Sequence, residues 1–216
     1  GYLDFNTLHT THGRALAFAT GIKLANPKLK VIVVSGDGDA SAIGGNHLIH
    51  AARRNMDLTL ICMNNNIYGM TNGQYSPMTP TDMLATTSPY GNLERNFDLC
   101  KLVEACGANY VARATAAHPR NISTYIEYAL THDGFNFVEV ITQCPTYYGR
   151  RNKMGGPVEM LNAFKANTIL NTAAAKLPPE QVAGKILIGE FVKKSEPTYL
   201  DRYEALAKKL TGGVKP

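Results

Sequence analysis

Apolar and polar positions alternate along this chain in two rhythms. Over residues 7–25, Ala15, Leu16, Ala19, Ile22 and Lys23 recur at helical spacing until Asn26-Pro27 stops them. Val31-Ile32-Val33-Val34 then reads as a buried strand over residues 31–35. Residues 43–54 return to helical spacing, with Ile49, Ala51 and Ala52 on one face. Leu58-Thr59-Leu60-Ile61-Cys62-Met63 is a second strand-like run. Residues 31–63 thus form a strand–helix–strand unit, whose strands are expected to lie parallel through a right-handed crossover. The rhythm continues with helices over 96–107 and 119–131, the latter with Pro119 in its first turn, and strands over 110–113 and 135–142. This order predicts an α/β fold on a doubly wound parallel sheet. Ligands of such sheets sit beyond the carboxyl ends of the strands.

Two stretches break the rhythm. Residues 64–96 are rich in Asn, Gly, Pro, Thr and Ser, and a connection that long in a compact domain is functional or disordered. Residues 151–216 shift towards Lys, Glu, Ala and Pro. A helix near 159–175, a strand near 185–192 and a helix over 199–210 are predicted there. No chemistry is evident in them, so packing and partner contact are expected. The chain divides into a ligand-binding domain, 1–150, and a C-terminal helical extension, 151–216.

Composition narrows the function classes. At 216 residues and 44% apolar, the chain can bury the core of one α/β domain. No apolar run is long enough to span a membrane. The opening Gly1-Tyr2-Leu3-Asp4-Phe5 does not read as a signal peptide, so a cytoplasmic protein without membrane contact is expected. The net charge is +5, yet no Lys/Arg block exceeds a dipeptide, which argues against a nucleic-acid partner. The four cysteines, Cys62, Cys100, Cys106 and Cys144, form no CxxC pair, and Cys62 reads as a core residue. A disulfide scaffold is not indicated.

The chemistry gathers at two strand ends. Gly36-Asp37-Gly38-Asp39 follows the first strand, and Asn64-Asn65-Asn66-Ile67-Tyr68-Gly69 follows the second, with Asn65 28 residues beyond Asp37. Mg²⁺ takes six oxygen ligands and favours phosphate over an all-protein cage. Asp37 offers a carboxylate, Asn65 an amide oxygen and Ile67 a backbone carbonyl. Gly36 and Gly38 would let the backbone turn close to a phosphate. The helix near Ile43 would aim its N-terminal amides at the anion. Either half alone is an ordinary turn; both together, each after a strand, point to a Mg²⁺–diphosphate grip.

This pair resembles the thiamine diphosphate (TPP) binding motif. The stretches Thr7-Leu8-His9-Thr10-Thr11-His12-Gly13-Arg14, Gly36-Asp37-Gly38-Asp39-Ala40, Gly44-Gly45-Asn46-His47 and Asn64-Asn65-Asn66-Ile67-Tyr68-Gly69-Met70-Thr71 resemble the beta subunit of 2-oxoacid:ferredoxin oxidoreductases, nearest the 2-oxoglutarate type. The likeness runs from Gly1 to about Lys153. It implies a TPP-binding fold in which Asp37, Asn65 and the Ile67 carbonyl hold Mg²⁺. Thr10, His12, Gly36, Gly38, Asp39, Gly69, Met70 and Thr71 would surround TPP, with His12 donating to the diphosphate. His9 is expected to pack, and His47 and His50 to be ordinary helix residues. The resemblance also implies a [4Fe-4S] cluster with Cys144 as one ligand and three further Cys ahead of Gly1.

The implied activity is CoA-dependent oxidative decarboxylation of a 2-oxoacid, 2-oxoglutarate to succinyl-CoA, with electrons passed to ferredoxin. It would need an alpha subunit to supply the carboxylate that assists the cofactor, and no catalytic side chain is expected in this chain. One departure is Thr71-Asn72-Gly73-Gln74, where the family has TGGQ. Asn tolerates a left-handed backbone, so the turn is expected to survive. Two other readings fit the grip. One is a decarboxylase-like or acetolactate-synthase-like TPP subunit, which needs no cluster. The other is a non-catalytic nucleotide- or phosphate-binding module, which needs no partner.

Overall fold

The computed structural model describes residues 4–212. The second apolar run becomes a strand with partners above and below the sheet, whereas the first, expected to be buried, is covered on one face alone. Helix α1 (Ala15–Ala25) leads into β1 (Ile32–Gly36). A helical turn, α2 (Asp37–Ser41), and α3 (Gly45–Arg53) then return the chain to β2 (Leu58–Asn64). The long 64–96 segment contains a small hairpin, β3 (Ile67–Tyr68) with β4 (Gln74–Tyr75). Then follow α4 (Leu99–Ala105), β5 (Tyr110–Thr115), α5 (Pro119–Thr131) and β6 (Phe135–Ile141). The remainder is α6 (Pro157–Asn167), β7 (Thr168–Leu170), α7 (Asn171–Ala174), α8 (Pro179–Val182), β8 (Ile186–Lys193) and α9 (Tyr199–Leu210).

Among the described residues the main sheet has six strands in the order β1-β2-β6-β5-β8-β7. β1, β2, β6 and β5 are mutually parallel, as the strand–helix alternation predicts. β8 adds to β5 antiparallel. Alternate residues of each strand feed opposite cores. Leu60, Cys62, Phe135 and Phe137 pack with Leu16, Leu48, Leu99 and Val103 from α1, α3 and α4. Tyr110, Ala112, Val138 and Val140 pack with Tyr125 and Ala129 from α5. β1 lies at the sheet edge, and its Ile32 and Val34 are 46% and 61% exposed. No helix among the described residues is long and apolar enough to cross a membrane.

Three elements depart from the periodicity, each for a tertiary reason. The helix expected over 7–25 begins only at Ala15. Gly13 holds φ +71°, and a Cβ there would lie 2.2 Å from Ile43 Cγ2 and 2.9 Å from the Gly44 nitrogen. Gly13 therefore presses the loop before Ala15 against the α2–α3 junction, in a conformation glycine adopts without strain. The helix expected over 43–54 starts at Gly45, because Gly44 is packed on the Asp39 carbonyl, where a Cβ would sit at 2.3 Å. The first helical amides beyond β1 accordingly belong to α2, and not to a helix near Ile43. Finally, the helix expected over 159–175 is interrupted by β7, whose Thr168, Ile169 and Leu170 align with Ile186, Leu187 and Ile188 of β8. The extension after residue 150 is thus not helical alone, since it also widens the main sheet.

Lys23 shows how α1 is anchored. Its side chain is 3% exposed, with Nζ 2.5 Å from Asp57 Oδ2 and donating to the Leu29 carbonyl at 2.8 Å. Lys23→Met should leave a largely buried carboxylate without its countercharge. A loss of about 3 kcal/mol is expected, read as a lower urea midpoint at unchanged slope.

Candidate functional site

Because β1, β2 and β6 are parallel neighbours, the residues after each emerge at one end of the sheet. Asp37 follows β1, Asn65 follows β2, and Cys144 lies just past β6. Asp37 is 2% exposed. Its Oδ1 accepts from the Asn65 backbone nitrogen at 3.4 Å, and its Oδ2 from Ser76 Oγ at 2.5 Å. Burial pushes its pKa up to about 6, against the hydrogen bonds from Ser76 and Asn65, which lower it. No cation neighbours this carboxylate among its hydrogen-bond and ion-pair partners in the described residues. Asn65 Oδ1 accepts from the Ile67 nitrogen at 3.2 Å, which folds the Ile67 backbone beneath it. No group of three His, Cys, Asp or Glu side chains among the described residues is placed to hold a metal. The Asp37 carboxylate and the Asn65 amide oxygen are instead a set of hard oxygen donors carried at neighbouring strand ends. Such a set suits a Mg²⁺ that keeps phosphate and water ligands.

A second constellation flanks the first. Asp39 Oδ1 accepts from the Gly13 nitrogen at 2.6 Å and lies 2.7 Å from His12 Nδ1, while Oδ2 accepts from Ser35 Oγ. Asp39 therefore ties the 7–14 loop to β1 and fixes the His12 ring. That leaves Nε2 as the ring nitrogen without a partner among the described residues, on a side chain 54% exposed. Tyr68 donates to the Gly38 carbonyl at 3.0 Å and sits 5.9 Å from the His12 ring. A Cβ on Gly38 would meet the Tyr68 ring at 2.4 Å. The smallness of Gly38 thus serves Tyr68 first, whereas Gly36 has open space around it.

The loop after β3 completes the rim. Met70 is 99% exposed, and Thr71 Oγ1 donates to Gln74 Oε1 at 2.6 Å. Asn72 takes φ +81° and Gly73 φ +88°, so the turn survives its departure from TGGQ, helped by Tyr147 donating to Asn72 Oδ1 at 2.9 Å. Thr10, partly exposed, donates to the neighbouring Thr11 carbonyl at 3.2 Å. A Cβ built on Gly69 would lie 3.6 Å from both Asn65 Nδ2 and Cys144 Sγ, which puts Cys144 beside the same turn. Its thiol is buried with Ile67, Ala85, Tyr148 and Met160, just before a π-helical turn at Pro145–Gly149.

Cys62 is wholly buried in the core, as its run suggests. His9 is exposed and not packed, because no helix forms there to give it a buried face. His47 Nε2 lies 2.8 Å from Arg14 Nη1, and His50 is exposed on α3. Sequence reasoning missed Ser35 and Ser76 as supports of the two carboxylates, and Tyr68 as the donor to the Gly38 carbonyl. Ser76 is 39 residues beyond Asp37, and nothing local marks it.

Comparison with known proteins agrees with this geometry. Residues 1–140 match the thiamine pyrophosphate enzyme C-terminal TPP binding domain. The chain is 55% identical over 214 residues to the 2-oxoglutarate synthase subunit KorB of Methanothermobacter marburgensis, covering 99% of this chain and 75% of that protein. With the subunit of the same name from Methanocaldococcus jannaschii it shares 52% over 210 residues, 97% of this chain and 78% of the other. The solved structure of 2-oxoglutarate:ferredoxin oxidoreductase from Magnetococcus marinus, with 2-oxoglutarate, coenzyme A and succinyl-CoA bound, matches at a TM-score of 0.79 and 36% identity. That match covers 94% of this chain and 69% of the other. A TPP-binding domain and such identity over nearly its whole length show that the chain belongs to the beta-subunit family of the TPP-dependent 2-oxoacid:ferredoxin oxidoreductases.

Proposed function

We propose that this chain, with an alpha subunit, catalyses the CoA-dependent oxidative decarboxylation of 2-oxoglutarate to succinyl-CoA and delivers the electrons to ferredoxin. The observation that carries the reading is the buried Asp37 carboxylate set against Asn65 at two adjacent parallel strand ends. The names of the relatives and the ligands of the Magnetococcus marinus structure support the substrate and coenzyme A.

In this reading Asp37, Asn65 Oδ1 and the Ile67 carbonyl would hold Mg²⁺, which would supply positive charge for the TPP diphosphate. His12, oriented by Asp39, donates Nε2–H to a phosphate oxygen when protonated. Thr10, Gly36, Gly38, Asp39, Gly69, Met70 and Thr71 border the cofactor. When bound, TPP supplies the electron sink for loss of CO₂. The task of this chain is to grip and orient its diphosphate end. The exposure of His12, Met70 and Thr71 suits a site that a second subunit closes, as does the apolar edge strand with Ile32 and Val34. Residues 1–150 would carry the cofactor and 151–216 the partner contacts, in a cytoplasmic enzyme. Cys144 would give one thiolate to a [4Fe-4S] cluster. One thiol does not make a cluster site, so three ligands must come from outside the described residues.

The activity test mixes the full-length beta chain with its alpha partner and follows CoA-dependent reduction of ferredoxin or a viologen by 2-oxoglutarate. Turnover is expected from the mixture and none from either chain alone; turnover by the beta chain alone would contradict the two-subunit reading. Cys144→Ser should remove the visible cluster absorbance and dye reduction while TPP still binds.

Asp37 makes a prediction with a definite sign. Its pKa rises from 3.8 unfolded to about 6 folded. Its contribution to stability is therefore fully present below about pH 4 and lost as pH rises through about 6. Asp37→Asn should accordingly stabilise the unliganded protein at pH 8, by up to about 3 kcal/mol in chemical denaturation. The same variant should lose Mg²⁺-dependent TPP binding by calorimetry. In the wild type, TPP affinity should fall about tenfold per unit as pH drops below that pKa.

A further inference from the structure

Glu139 is a charged residue in the middle of β6 with no exposure to solvent. Its Oε2 accepts from Arg113 Nε at 2.6 Å and from Cys100 Sγ at 3.4 Å. Its Oε1 accepts from Asn64 Nδ2 at 2.7 Å. Arg113, on β5, also reaches Asp98 Oδ1 at 2.5 Å, and Asp98 caps α4 by accepting from the Lys101 nitrogen. Buried ion pairs of this kind are poor stabilisers compared with apolar residues of the same volume. Sheet pairing does not need the charge either, since the ladder uses backbone groups alone.

We propose that Glu139 is a positioning residue for the Mg²⁺–diphosphate grip, acting through the amide orientation of Asn64. This rests on the reading of Asp37, Asn65 and Ile67 given above. A carboxylate only accepts hydrogen bonds, so Asn64 must turn its NH₂ group towards Glu139. Its Oδ1 is then the atom left to face the Asn66 nitrogen, from which it accepts at 3.0 Å. Asn66 is held at φ +62°, and its carbonyl accepts from Thr79 Oγ1 at 2.5 Å. The turn is thus clamped at Asn66 from both sides. Asn65 precedes that clamp and Ile67 follows it, and these two residues carry the oxygens assigned to the cation.

Glu139→Gln keeps the shape and removes one acceptor. Its carbonyl oxygen should stay with the Arg113 guanidinium, leaving NH₂ against Asn64 NH₂. Asn64 must then rotate and set a donor against the Asn66 N–H. In the full-length beta chain with its partner subunit, TPP titrated with Mg²⁺ should bind about tenfold more weakly, the equivalent of one lost buried hydrogen bond. Asn64→Ala, which leaves the Arg113–Glu139 pair intact, should weaken binding similarly. Combining Asn64→Asp with Glu139→Gln exchanges acceptor and donor across the contact, and should restore affinity to within about twofold of wild type. A merely structural role would lower the melting temperature without this selective loss and rescue. TPP affinity unchanged in Glu139→Gln, while Asp37→Asn loses binding, would overturn the positioning role alone. Unchanged affinity in Asp37→Asn as well would overturn the grip itself.

Discussion

The parallel pairing of β1 with β2, and of β2 with β6, is the constraint on which the rest depends. In that register Gly36 lies opposite Met63, and Asn64 opposite Ile141. All three strands reach their carboxyl ends together, so three stretches far apart in the chain surface side by side. The backbone there has left the ladder and is free to turn, which is why such ends of α/β sheets become ligand sites. Everything proposed for Asp37, Asn65, Ile67 and Cys144 follows from this convergence.

Two buried carboxylates, Glu139 within β6 and Asp37 just past β1, contrast in their surroundings. Glu139 faces a guanidinium and is electrostatically complete within the chain. Asp37 has a hydroxyl and a peptide N–H for company, and burial raises its pKa. The first is built as a fixed part of the framework. The second has no countercharge among the hydrogen-bond and ion-pair partners of the described residues, which is why the proposed cation is assigned to it and to the neighbouring Asn65. Asp39 shows a third arrangement, in which a carboxylate is used up in holding a loop and orienting His12.

The site is also open. His12, Met70 and Thr71 are exposed around the grip, and the edge strand β1 shows apolar side chains to solvent. A diphosphate can be anchored from one side, but a reactive ring needs shelter from water. In the proposed reading one chain would anchor the diphosphate and a second would shelter the ring.

Much of this could be read in the chain. The run Val31-Ile32-Val33-Val34 and the run from Leu58 to Met63 announced two strands by composition alone, with GDGD and NNN after them, but that the first lies at the sheet edge with Ile32 and Val34 exposed was not legible. The left-handed backbone at Asn72 was foreseeable from the residue type. Helix boundaries were less legible: the helix expected from residue 7 begins only at Ala15, with Gly13 packed against Ile43 in the loop before it. The partners of the key groups were not legible at all. Ser76 reaches Asp37 from 39 residues away, and Glu139 reaches Asn64 from 75. Local periodicity records which face of one element is buried, and motif spacing records which residue types follow each strand; both are properties of short stretches, and the sequence determined them by itself. Strand order and the partners of buried polar groups were decided only in the folded chain, because a buried donor or acceptor is satisfied by whatever the packing brings within about 3 Å.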